Sequence, residues 1–137
     1  MAYRTTTFHR LPGEPVQNVT LFRRAWEECE ELQVQSEEVW VGSALLSLAA
    51  LERYEVGILT DAGPIGAAVL ASDPWDAHVG PCMSVFAQYV LPEFRNTGAS
   101  LALMRECLAI ARDSQAGVLA YTHRVATWRY QTIYRRT

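Results

Sequence analysis

Apolar residues in the first third of the chain recur at spacings that predict one strand and two helices. Residues 3–10 carry β-branched and aromatic side chains before a Leu-Pro-Gly turn, which favours a strand. Between residues 18 and 34, apolar side chains recur every three or four positions, the period of an amphipathic helix. Residues 43–53 predict a second helix, for which Ser43 is a candidate N-cap.

The rest of the chain predicts a hairpin, a third apolar strand, and then a strand between two helices. Residues 54–60 and 65–71 are apolar segments on either side of an Asp-Ala-Gly-Pro turn, which is a hairpin pattern. The later elements are a strand at 83–91, a helix at 99–112, a short buried strand at 117–121 and a closing helix at 126–135. This order predicts an α/β (α+β) fold with a mixed central sheet flanked by helices.

Length and composition indicate one folded domain. A chain of 137 residues is about the size of a single domain, so we assign residues 1–137 to one. Half of the residues are apolar and 20% are charged, the balance of a folded chain. The longest uncharged apolar run, residues 39–51, is about 13 residues and falls short of the roughly 20 that span a bilayer. With no apolar stretch typical of a signal peptide at its start, the sequence predicts a cytoplasmic protein without a membrane segment.

All twelve basic side chains are arginine, and the chain has no lysine. This excludes chemistry that needs a side-chain amine, such as a P-loop lysine or a Schiff base. The last 24 residues hold four of the arginines and no acidic residue. Such a basic end is able to meet phosphate or an acidic partner, but four charges are too few to indicate nucleic-acid binding.

Three cysteines, Cys29, Cys82 and Cys107, lie far apart and without CxxC spacing. This pattern disfavours both a disulfide framework and a structural zinc site, so we expect free thiols and no metal. Cys82 follows a Gly-Pro pair and lies near His78, but nothing in the sequence shows a partner that would orient this histidine for nucleophilic chemistry. We therefore expect Cys82 to be a buried or loop thiol.

The segment 89–100 predicts a strand that runs through a short polar turn into the start of a helix. The first N–H groups of a helix have no intrahelical partner and, with the helix dipole, form an anion site. Gly98 permits a positive φ, and Arg95 offers a planar fork suited to phosphate. Thr97 is equally compatible with an ordinary helix N-cap.

The sequence VLPEFRNTGAS at residues 90–100 resembles the acetyl-CoA signature V-x-P-E-[FY]-R-x-x-G-x-[GA] of the GNAT superfamily of N-acetyltransferases. The predicted order of elements is also similar to that family over nearly the whole chain. The resemblance implies that acetyl-CoA binds with its pyrophosphate on the backbone amides of the turn and its pantetheine arm beside the preceding strand. The cofactor-binding residues implied in this way are Val90, Arg95, Asn96, Thr97, Gly98, Ala99 and Ser100.

Two features depart from the family pattern. Ser100 stands where the family prefers Gly or Ala. The chain also ends after the predicted last helix, where family members usually continue into an antiparallel strand pair, so we expect a C-terminally short domain that lacks this pair. The strand at 117–121 would then be an uncovered sheet edge, and we expect a protein partner or a second copy at this edge and at the helix of residues 126–136.

Candidates for acid and base catalysis come partly from the resemblance. Many family members use a tyrosine in the last helix to protonate the CoA thiolate, and Tyr134 is the positional match, although packing with its hydroxyl in water explains it equally well. For the base, four residues stay open: Glu55, Glu93, His78 and His123.

Two functions follow from these observations. The first is an N-acyltransferase that moves acetyl from acetyl-CoA directly to an amine whose identity the sequence does not give. The second is a catalytically inactive GNAT-fold protein in a larger assembly such as a phage virion, by similarity to short phage-encoded GNAT-like proteins. Whether the chain is an enzyme is left open by the sequence.

Overall fold

A computed structural model describes residues 2–137, which form a six-stranded sheet with three α-helices. The elements, in chain order, are β1 (Arg4–Arg10), α1 (Val19–Glu28), α2 (Glu37–Ala49), β2 (Arg53–Thr60), β3 (Gly63–Asp76), β4 (Gly80–Val90), α3 (Ala99–Asp113), β5 (Val118–Ala126) and β6 (Arg129–Arg136). Short 3₁₀ turns at Glu30–Val34 and Pro92–Phe94 follow α1 and β4. The predicted mixed α/β (α+β) fold is confirmed.

The strands lie side by side in chain order. Every neighbouring pair is antiparallel except β4 and β5, which are parallel. Parallel strands need a long crossover, and α3 supplies it between β4 and β5. The one parallel pair therefore lies beside the segment 89–100 that the sequence analysis singled out.

Helices cover both faces of the sheet. The main core lies beneath α3, where Leu103, Cys107 and Ala111 pack with the buried strand residues Ile58 and Leu119. A smaller cluster of Val16, Leu48 and Val69 lies beneath α2. Because successive strand side chains point to opposite faces, these two clusters occupy opposite sides of β3.

The boundaries of the first two helices differ from the prediction. The predicted helix at 18–34 ends at Glu28 and continues as a 3₁₀ turn. The second helix begins at Glu37, because Ser36 caps it by accepting a hydrogen bond from the Val39 N–H at 3.3 Å. Ser43 is therefore an interior residue of α2, and its assignment as the N-cap was wrong.

The last helix, predicted at residues 126–135 and taken to residue 136 in the expected partner surface, is wrong. Residues Arg129–Arg136 form the strand β6. It pairs antiparallel with β5 from Val118↔Arg136 to Ala126↔Arg129. The sequence RYQTIYRR is rich in β-branched and aromatic residues, and Trp128 turns the chain with a φ of 63°. In this segment, the β-strand propensity outweighs the helical spacing of the apolar side chains.

The expected uncovered edge at residues 117–121 is also wrong, because β6 pairs with β5 and the sheet ends at β1 and β6. One strand, β6, stands where the resemblance led us to expect a pair. The partner surface predicted at 117–121 and 126–136 loses its structural basis, and a protein partner stays a prediction.

No helix within residues 2–137 is long and apolar enough to cross a membrane.

Candidate functional site

The parallel strands β4 and β5 separate soon after they begin. They are paired only at Met83↔Leu119 and Ser84↔Ala120. Beyond Ser84, β4 continues toward α3 while β5 continues into its hairpin with β6. The Gln88 side chain crosses the gap and donates a hydrogen bond to the Thr122 carbonyl at 2.8 Å. The gap therefore exposes one edge of β4 from residue 85 to residue 90.

A groove of about 1090 Å³ follows this gap from the α1–α2 layer to the first turns of α3. Most of its wall is apolar or aromatic. Residues from both helical layers and both strands line it, among them Phe22, Trp40, Val85, Tyr89, Ser100, Met104, Tyr121 and His123. A groove of this size and lining is typical of a small-molecule site.

The turn between β4 and α3 ends at an uncapped helix N-terminus. Gly98 is the N-cap, with a left-handed φ of 90°, and no side chain caps α3. The intrahelical ladder begins with the Ala102 N–H, which donates to the Gly98 carbonyl at 3.0 Å. Within the described residues, the N–H groups of Ala99 and Ser100 make no hydrogen bond, so they are available to an anion.

Thr97 does not cap the helix. Its hydroxyl donates to the Phe94 carbonyl at 2.7 Å, and its N–H is directed to the same carbonyl at 3.4 Å. A side chain at Gly98 would also be crowded, because a Cβ there would lie 3.0 Å from the Tyr3 hydroxyl. The positive φ therefore favours glycine at residue 98, and a Cβ would in addition press against the Tyr3 hydroxyl.

Arg95 is held by an acidic partner that the sequence analysis missed. Its two terminal nitrogens each donate to a Glu28 carboxylate oxygen at 2.7 Å, and its Nε donates to the Val90 carbonyl at 2.9 Å. The Tyr89 hydroxyl donates to Glu28 at 2.7 Å, and the guanidinium lies 5.3 Å from the Tyr89 ring centre. The hydrogen bond from Arg95 lowers the pKa of Glu28 to about 2.

These contacts give Arg95 a structural role. Its hydrogen bonds go to Glu28 and Val90, so it joins the end of β4 to α1. A phosphate contact by Arg95 stays a prediction; the bonds to Glu28 and Val90 use three of the five guanidinium N–H groups. Glu28 belongs to a run of acids on the polar face of a helix, and nothing in that spacing pointed to residue 95.

Residues 16–131 match the model of the family described as "Acetyltransferase (GNAT) family". The chain belongs to the GNAT acetyltransferase family. Among curated proteins, no sequence matches it.

Solved structures share this GNAT fold at low sequence identity. The chain is similar to the ribosomal-protein-alanine N-acetyltransferase from Brucella melitensis biovar Abortus, with 15% identity and a TM-score of 0.62, over 91% of this chain and 82% of that one. It is similar to a GCN5-related N-acetyltransferase from Ralstonia eutropha, with 15% identity and a TM-score of 0.62, over 90% and 84%. It is also similar to the aminoglycoside 6'-N-acetyltransferase AAC(6')-Ih from Acinetobacter baumannii, with 16% identity and a TM-score of 0.60, over 91% and 83%.

A buried carboxylate, Glu31, holds two residues of the GNAT groove wall, Arg124 and Tyr130. Glu31 is only 7% exposed, and it accepts hydrogen bonds from the Arg124 guanidinium at 2.8 and 3.0 Å. The Tyr130 hydroxyl and the Trp128 N–H donate to it at 2.8 and 3.1 Å. These donors, led by Arg124, hold the pKa of Glu31 well below its usual range. Arg124 therefore fixes the β5–β6 hairpin against the turn after α1.

The structure distinguishes the four candidates for the catalytic base. Glu55 is buried against Arg53, with a 2.8 Å ion pair, and Glu93 pairs with Arg24 at 3.3 Å. His123 lines the groove of this GNAT chain, and its ring makes no hydrogen bond or ion pair within the described part of the chain. Glu55 also lines the groove but is held by Arg53, so His123 is the one of the four that is both in the groove and without a side-chain partner among the described residues.

Tyr134 and His78 lie elsewhere. Tyr134 is on β6 rather than on a helix, and neither residue lines the groove. The Tyr134 hydroxyl contacts the Asp76 carboxylate at 3.1 and 3.2 Å and the His78 Nδ1 at 3.1 Å. The structure therefore does not bring Tyr134 together with the turn at residues 95–100.

Proposed function

We propose that this chain transfers an acetyl group from acetyl-CoA to an amine by direct attack. The observation that carries the proposal is the gap between β4 and β5, which leads to the uncapped start of α3 at Gly98. An exposed strand edge is able to pair with the amide groups of a pantetheine arm, and the groove beside it has room for a second substrate.

The start of α3 suits the pyrophosphate. The N–H groups of Asn96, Gly98, Ala99 and Ser100 make no hydrogen bond within residues 2–137, and the positive end of the helix dipole lies among them. The Thr97 N–H is directed within the turn, so we assign it a structural role. This donor set fits a phosphate group without a lysine, which the chain does not have.

The groove residues supply the remaining chemistry. The amine nitrogen forms a bond to the thioester carbonyl carbon, the carbon–sulfur bond breaks, and CoA leaves as its thiolate. An N–H on the free edge of β4, between residues 85 and 90, stabilises the charge that develops on the carbonyl oxygen. His123 accepts the proton that the amine loses.

The inactive structural alternative has no specific observation in its favour. It depended on the missing strand pair and an uncovered edge at residues 117–121, and β6 covers that edge. A role in a virion stays an untested prediction.

Thermal unfolding with and without acetyl-CoA tests binding, and release of free thiol over a panel of amines tests transfer. At about 100 times its dissociation constant the ligand adds roughly 2.7 kcal/mol of stability. Gly98→Ala should abolish this shift, because it strains the turn and meets the Tyr3 hydroxyl. Gly13→Ala is the matched control, since Gly13 has a φ of 92° but open space around it.

The outcomes are distinct. A stability shift with thiol release, lost in Gly98→Ala and kept in Gly13→Ala, supports the proposal. The absence of any shift at millimolar acetyl-CoA would overturn it. A shift without thiol release for any amine would overturn the transfer step and leave binding alone.

A further inference from the structure

A second cluster of reactive side chains lies at the β3–β4 hairpin, away from the groove. Asp73 and Cys82 are cross-strand partners, and Asp76 pairs with Gly80 beyond an irregularity in the ladder. Ligand atoms of Asp73, Asp76 and Cys82 all lie within 4.8 Å of one another. The β3–β4 hairpin thus brings two carboxylates and a thiol close together.

The Cys82 thiol is the independent sign of a ligand. It is only 4% exposed, it is not in a disulfide, and it makes no hydrogen bond within the described residues. Burial, with Asp73 and Asp76 beside it, raises the pKa of this thiol. A metal ion bound between this thiol and the two carboxylates would displace the thiol proton, because the thiolate is the form that binds metal.

The negative charge of this cluster has little compensation. In residues 2–137, no arginine forms an ion pair with Asp73 or Asp76, and the His78 Nδ1 lies 3.6 Å from the Asp76 Oδ1. Backbone N–H groups of Trp75 and His78 donate to these carboxylates at 3.1 and 2.8 Å. Those bonds orient the carboxylates and leave their charge in place.

We propose that Asp73, Asp76 and Cys82 bind one Zn²⁺ ion at the β3–β4 hairpin. One thiolate and two carboxylates are ligands that zinc accepts, and a water completes a tetrahedral site with three protein ligands. Ligand atoms on such an ion lie about 3.5 Å apart, so the ligand atoms of Asp73, Asp76 and Cys82, all within 4.8 Å of one another, need a contraction on the order of 1 Å. A hard cation such as Mg²⁺ would make no use of the thiol.

Tyr134 is a positioning residue in this site. Its hydroxyl contacts both Asp76 oxygens and the His78 Nδ1, so it links the hairpin to β6. When zinc is bound, the Tyr134 hydroxyl keeps its hydrogen bond to one Asp76 oxygen and so orients that carboxylate. Hydrogen-bond partners of metal ligands typically have this role. The site would therefore fasten the hairpin to β6. It is independent of the proposed transferase activity.

Metal titration of the reduced, chelator-treated full chain tests the proposal. Co²⁺ should bind at one equivalent with a thiolate-to-cobalt charge-transfer band, and Zn²⁺ should displace it and raise the melting temperature. Cys82→Ala should remove the band and weaken Zn²⁺ binding at least about 100-fold, and Tyr134→Phe should weaken it about 10- to 100-fold. Asp76→Asn is a second ligand variant, for the case in which Cys82→Ala fails to fold.

Cys107→Ala is the matched control, because Cys107 is also a free buried thiol but lies in the core beneath α3. A band kept in this control and lost in Cys82→Ala supports the site. The proposal is overturned if wild-type protein gives no charge-transfer band, or if the band persists in Cys82→Ala or, should that variant not fold, if Asp76→Asn binds Zn²⁺ as tightly as wild type.

Discussion

At the scale of residues, the site is held by ion pairs and hydrogen bonds between residues that are far apart in the sequence. Arg95 and Glu28 are 67 positions apart, and they meet because α1 packs against the end of β4. Sequence reasoning identified Arg95 from its place in a motif and did not identify Glu28, which sits in an acidic run. A carboxylate on a helix surface has many potential partners, and only packing selects one.

The Glu28–Arg95 pair predicts a specific acid sensitivity. Arg95 lowers the pKa of Glu28 from 4.5 to about 2 in the folded chain. The pair therefore stabilises the folded chain fully at pH values above 4.5, the pKa of Glu28 in the unfolded chain. This stabilisation is lost as the pH falls toward about 2. Since the pair is partly exposed, we expect a loss on the order of 1 kcal/mol. Urea unfolding near neutral pH and at about pH 3 measures it.

Glu28→Gln should unfold more easily than wild type near neutral pH and lose less stability between the two conditions. Glu27→Gln is the control on the same helix, because Glu27 makes only a long 3.9 Å contact with Arg24. Equal pH dependence in wild type and Glu28→Gln would contradict the prediction.

His123 gives a residue-scale prediction that rests on the proposed function. His123→Gln should reduce kcat roughly 10²- to 10⁴-fold, the contribution of general acid–base catalysis, while the stability shift with acetyl-CoA is kept. His9→Gln is the control, since His9 lies on β1 and contacts Glu52. An unchanged rate in His123→Gln would remove this residue from the mechanism.

At the scale of elements, the last segment of the chain shows where the local sequence pattern and the tertiary structure disagree. Residues 129–136 include Thr132, Ile133 and Tyr134, which suit a strand, yet their spacing also fits a helix. Pairing with β5 decides the outcome, because it satisfies the backbone groups of both segments. The strand–turn–helix at residues 89–100 was predictable, since each part has a local signal.

The β5–β6 hairpin should depend on Glu31, which receives bonds from Arg124, Tyr130 and the Trp128 N–H. In Glu31→Ala, we expect amide hydrogen exchange in β6 to become at least about tenfold faster, because the hairpin loses its attachment and opens more often. Glu30→Ala, which changes the exposed neighbour, should leave exchange unchanged. Equal exchange in the two variants would show that the hairpin is held by its strand pairing alone.

At the scale of the whole molecule, the site arises where two features meet. The first is the crossover through α3, which makes β4 and β5 parallel, and the second is their separation after Ser84. The groove runs through that separation and reaches Ser100 in the first turn of α3, so elements from both faces of the sheet contribute to it. The β3–β4 hairpin and Tyr134 form a separate cluster outside this groove.

The sequence by itself determined most of the strands and helices, the turn at Gly98 and the family resemblance, because local propensity and motif spacing are carried by neighbouring residues. Tertiary structure alone decided that residues 129–136 form a strand, that Glu28 holds Arg95, and that Asp73, Asp76 and Cys82 converge. Each of these depends on contacts between strands or layers. Such contacts are fixed by the register and packing of the whole sheet, which no local pattern encodes.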